Sequence, residues 1–105
     1  MSDRTRRKNE EKEDVLTRDR VEEPKKFKVI LLNDDYTTME FVVWVLMNVF
    51  HHSQAQATRV MLHIHNNGHG VAGIYSREVA ETRVAQVEQV AREHGHPLQC
   101  IMEPE

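Results

Sequence analysis

Apolar positions recur along this chain with changing period, and each change marks an element. From Phe27 to Leu32 the residues are apolar apart from Lys28, which predicts a short buried strand. From Met39 to Phe50 the run is longer and is broken only by Glu40 and Asn48. It predicts a central helix over about 38–50, apolar on most sides, with Trp44 in the core. Ser53 followed by Gln56 is a capping box. It opens a second helix, to about His65, on which Ala57, Val60, Met61 and Ile64 share a face. Asn66-Asn67-Gly68 supplies a C-cap and turn. Val71 to Tyr75 reads as a strand. Ser76 caps a third helix carrying Ala80, Val84, Val87 and Ala91 one or two turns apart. Gly95 ends that helix and Pro97 forbids its continuation. Leu98 to Met102 alternates as a last strand. The order β-α-α-β-α-β predicts an α+β fold, a small antiparallel three-stranded sheet with three helices stacked on one face.

The junction between the first strand and the first helix carries its own instructions. Thr37 and Glu40 match a second capping box, and Tyr36 with Phe41 match a hydrophobic staple. Thr38 and Met39 then take the first and second helical positions. Asn33, Asp34 and Asp35 fill the turn between. Such residues bond their own backbone, and a turn alone would explain them. They also gather carbonyl and carboxylate acceptors beside an apolar helix, an arrangement suited to an ammonium group, which only donates.

Composition divides the chain. Residues 1–26 hold nine Lys/Arg and eight Asp/Glu but few aliphatic residues. Residues 1–25 therefore read as a disordered charged extension, unable to offset the entropy of ordering, and 26–105 as the folded domain. Residues 27–105 have a net charge of about −4 against +1 for residues 1–26, so no nucleic-acid footprint is expected. No run is long and apolar enough to span a membrane, and no secretory signal begins the chain. Cys100 is the lone cysteine, read as a small buried residue. A cytoplasmic home is the simplest expectation.

Other chemistries find little support. Gly68-His69-Gly70-Val71-Ala72-Gly73 matches G-x-G-x-x-G literally, but a helix precedes it and a strand follows, the reverse of a dinucleotide site. His63 and His65 are two apart on a helix, about 200° around its axis, and cannot share one metal ion. No serine, cysteine or threonine lies in a nucleophile motif. No cofactor, metal or catalytic residue is expected, and the protein is not read as an enzyme.

Asn33-Asp34-Asp35-Tyr36-Thr37 followed by Met39-Glu40-Phe41-Val42 resembles the signature of the ClpS family, N-end rule adaptors of the ClpA–ClpP protease. The resemblance continues at Ala57-Thr58, Met61-Leu62-His63 and His65, at Glu78-Val79-Ala80-Glu81-Thr82, and at His96-Pro97-Leu98-Gln99-Cys100. It covers about Lys26 to Glu103. One departure is Thr38, where the family usually has proline.

The resemblance implies a bacterial adaptor that binds substrate proteins by their N-terminal residue. Asn33, Asp34 or Asp35, and His65 would hold the free α-amino group. Thr37, Met39, Val42, Met61, Ile64 and Leu98 would enclose a bulky side chain of Leu, Phe, Tyr or Trp. Glu78 and Arg83 would face the N-terminal domain of the ClpA unfoldase, and the N-terminal extension would act in delivery. The protein would work as a monomer. The alternative is a regulatory interaction domain that docks a partner through its first and third helices and has no peptide pocket.

Overall fold

β1 (Lys26–Leu32) is the middle strand of the sheet although it comes first in the chain. A computed structural model describes residues 24–105. The expected disordered extension therefore lies outside the described residues, save for the exposed Pro24 and Lys25 that lead into β1. α1 (Met39–Asn48) and α2 (Gln54–Asn67) follow, then β2 (His69–Ser76), α3 (Arg77–Glu93) and β3 (Gln99–Pro104). β2 and β3 flank β1, both antiparallel to it. The expected class, element order and sheet are all present.

Alternation along β1 builds the core. Val29 and Leu31 are fully buried against Val45 and Leu46 of α1, Ala57 and Ile64 of α2, and Ala80 and Val87 of α3. Cys100 of β3 is buried among them, as its neighbourhood suggested, and burial pushes its thiol pKa up to about 12. In β2 the register slips between Val29 and Ile30, leaving Ala72 as an extra residue. Its carbonyl accepts from His52 Nε2 at 2.7 Å, which ties the α1–α2 connection to the bulge.

The helix ends follow the sequence signals closely. Ser53 accepts from the Gln56 amide and Ser76 from the Val79 amide. Gly68 closes α2 in the left-handed conformation at φ 90°, donating to the Ile64 carbonyl. Gly95 follows α3 at φ 74°.

α1 departs from expectation. Its cap is Thr38, not Thr37: the Thr38 hydroxyl accepts from the Phe41 amide at 3.1 Å, so Met39 is the first helical residue rather than the second. The Thr37–Glu40 box does not form, because the Thr37 amide is already donated to Asp34. Tyr36 is 80% exposed and staples nothing. Trp44, expected in the core, is 41% exposed. It stacks on the outer side of α1 against Phe41, with ring centroids 5.9 Å apart, and beside His94. Burying it would have displaced the aliphatic stripe Val42, Val45, Leu46 and Val49 that the core already uses.

Candidate functional site

The turn after β1 is built around one carboxylate. Asp34 Oδ1 accepts from the amides of Tyr36 (2.8 Å) and Thr37 (2.7 Å), and Oδ2 accepts from the Thr37 hydroxyl (2.7 Å). Burial pushes the Asp34 carboxyl pKa up. The bonds from Thr37 and Tyr36 and the field of nearby His96 outweigh that and hold it below its ordinary value. The carboxylate is thus charged and engaged as a strut. His96 is half-buried and stacks on Phe41, ring centroids 4.2 Å apart.

A second tie brings the end of α2 to the turn. The Asn33 amide donates to the carbonyl of Gly68, the residue that caps α2, at 2.8 Å. On α2, Met61, Ile64 and His65 lie three and four residues apart and share the face toward the turn. His63 points elsewhere, its ring and carbonyl meeting the Asn67 side chain. No group of three or more potential metal ligands exists among the described residues.

Between the turn, the start of α1 and the end of α2 lies a cavity of about 210 Å³. Asn33, Asp34, Asp35 and His65 form its polar lining, and Thr37, Met39, Val42, Met61 and Ile64 complete it. Val42 and Ile64 are buried, whereas Met39 is 44% exposed at the mouth. The structure records no intramolecular hydrogen bond to the side chains of Asn33, Asp35 or His65 among the described residues. Their acceptors are free for a donor that enters the cavity. An engineered apolar cavity of roughly 150 Å³ can hold a benzene ring, so this one has room for a phenyl or isobutyl group.

The structure gathers every residue assigned to the amino-binding and side-chain sites except Leu98. Leu98 is 5% exposed and belongs to the core. It lines a separate shallow groove with Glu88, Gln99, Cys100 and Ile101. Glu78 and Arg83 lie away from the cavity on α3. Glu78 borders a wider, open groove of about 530 Å³ with Phe27, Ser76 and Arg77. Arg83 sets its guanidinium 5.5 Å from the Tyr75 ring centre and donates to Gln86. The sequence reading gave His96 no part in this turn, since no local pattern places a residue from beyond α3 beside Asp34.

Comparison with known proteins bears on this arrangement. The family described as ATP-dependent Clp protease adaptor protein ClpS matches residues 22–101. An ATP-dependent Clp protease adapter protein ClpS of Desulfatibacillum aliphaticivorans is 57% identical over 94 residues, covering 88% of this chain and 90% of its own. One from Hyphomonas neptunium is 57% identical over 89 residues, covering 85% and 75%. Among solved structures, Agrobacterium tumefaciens ClpS2 bound to L-phenylalaninamide superposes with a TM-score of 0.76 at 43% identity, over 79% of this chain and all of that one.

Proposed function

The chain belongs to the ClpS family of adaptors of the ATP-dependent Clp protease, and from that premise we propose that it is an N-degron receptor, binding proteins whose first residue is Leu, Phe, Tyr or Trp. The carrying observation is the two-ended cavity, with unengaged acceptors at Asn33, Asp35 and His65 beside an apolar wall. An ammonium offers three donors and no acceptor. Asn33 and Asp35 accept from it directly, His65 accepts through a ring nitrogen, and Asp34 supplies charge while holding the turn. Met39, Val42, Met61 and Ile64 take the side chain, whose burial is worth about 1.5–3 kcal/mol for Leu or Phe. Phenylalaninamide, the ligand of the Agrobacterium neighbour, carries both groups: a free α-amine and a benzyl side chain.

The bound substrate would be handed to ClpA in the bacterial cytoplasm, with Glu78 and Arg83 on the face that meets its N-terminal domain. Removing residues 1–23 would leave peptide affinity intact and impair this hand-over.

The test is a titration with two peptides that begin with Phe and differ only in N-acetylation. Charge-assisted bonds contribute about 1.5–3 kcal/mol each, so acetylation should weaken binding by about a hundredfold or more. Equal affinity for the two would refute the reading.

A further inference from the structure

Gly70 is buried in β2, where that strand packs against α2. Its backbone does not require glycine, since the positive-φ glycines of the described chain are Gly68 and Gly95. It is needed for space. A Cβ there would lie 2.7 Å from Ile64 Cγ1, 3.6 Å from Ile64 Cδ1 and 3.3 Å from His63 Cδ2. Carbon atoms pack best at about 3.5–4.0 Å, so the shortest of these contacts is a clash. Ile64 is 2% exposed and also lines the ligand cavity. The same side chain therefore touches Gly70 and the cavity.

We propose that Gly70 sets the depth of the side-chain cavity through Ile64, and with it the largest first residue the cavity accepts; this rests on the N-terminal-residue reading above. Ile64 is β-branched and helical, so its χ1 is held near one value and it cannot swing aside. Its other neighbours are core residues packed at close to crystalline density. The cavity is the one side where Ile64 can yield without displacing packed atoms. A methyl group added at position 70 is thus passed on as lost cavity volume. Leu is compact and still fits the shortened cavity. The indole of Trp needs the full depth and does not.

The experiment uses the full chain and two peptides with free amino termini, identical except for a first residue of Trp or Leu. Gly70→Ala should lower the ratio of Trp to Leu affinity by about tenfold, the scale of overpacking a rigid wall. In an Ile64→Ala background the same change should move the ratio by less than about twofold, because the transmitting atoms are gone. An unmoved ratio in Gly70→Ala, or an equal shift in both backgrounds, overturns the proposal. Should Gly70→Ala fail to fold by circular dichroism, Ile64→Ala alone decides. Its ratio must then move toward Trp, and any other result overturns the proposal. A parent that binds acetylated and free peptides alike refutes the N-terminal-residue reading, and the inference with it. A parent that needs the free amine, combined with an unmoved ratio, refutes the role of Gly70 alone.

Discussion

Asp34 holds Thr37 with both oxygens of its carboxylate: Oδ1 accepts the Thr37 amide and Oδ2 the Thr37 hydroxyl, each at 2.7 Å. With the Tyr36 amide also on Oδ1, one side chain fixes the path of the chain between β1 and α1. Asp34→Ala should lower stability by about 1–3 kcal/mol, read from urea unfolding. It should also weaken peptide binding at least tenfold, because Asn33 and Asp35 lose their positions. Asp34→Asn keeps an acceptor for the two amides but not a carboxylate for the hydroxyl, so it should fall between.

The lowered Asp34 pKa gives a pH dependence of definite sign. A carboxyl whose folded pKa lies below its unfolded value adds stability at pH above the unfolded value, and this is lost as pH falls through the folded one. The turn should therefore be unaffected from about pH 5.5 to 8 and weaken only below the ordinary carboxylate range near 4. His65 lines the cavity beside this turn without bonding to it, so His65→Ala should weaken binding of a peptide with a free amino terminus by about tenfold and leave the stability profile of the Asp34 turn unchanged. Unchanged peptide affinity in His65→Ala would count against His65.

Thr38 is the cap of α1, so Thr38→Ala should cost about 1 kcal/mol, seen as a lower melting temperature. Its φ of −73° suits a proline ring. Thr38→Pro loses the bond to the Phe41 amide but stiffens the unfolded chain, and should melt closer to the parent than Thr38→Ala does. A proline variant less stable than the alanine variant would show that the ring strains the entry to α1.

Met39 stands half-exposed at the mouth of the cavity, on the first turn of α1. A side chain branched at Cβ carries its extra carbon beside the gripped amine and cannot turn it away. Met39→Ala should then admit peptides beginning with Val or Ile while changing Leu affinity less than about threefold. Loss of Leu binding with no gain for Val or Ile would make Met39 a packing residue instead.

What could be read in the sequence was mostly local. Ser53, Gly68, Ser76 and Gly95 mark helix ends through bonds made within a few residues, and each stands where its chemistry requires. The acceptors of the turn and the face carrying Met61, Ile64 and His65 were likewise visible as short motifs. The cap of α1 was misplaced by one residue because two threonines compete for it. The contest is decided by Asp34, whose carboxylate claims the Thr37 amide and hydroxyl and leaves Thr38 to the helix. Trp44 was misjudged for a longer-range reason. Which way a large apolar side chain faces depends on what the other elements already fill, and here the aliphatic stripe of α1 takes the core.

The bond from the Asn33 amide to the Gly68 carbonyl joins the two halves of the polar lining through main chain alone. No side chain takes part in it, so substitutions in the apolar wall leave the clasp unchanged. On the proposed reading, recognition is thereby split into two independently heritable parts. The side chains of Asn33, Asp35 and His65, carried by segments that this main-chain tie joins, would demand a chain terminus, while exchangeable wall side chains would choose the first residue. A lineage could then retune the first residue it accepts, one wall residue at a time, without ever coming to accept an internal segment.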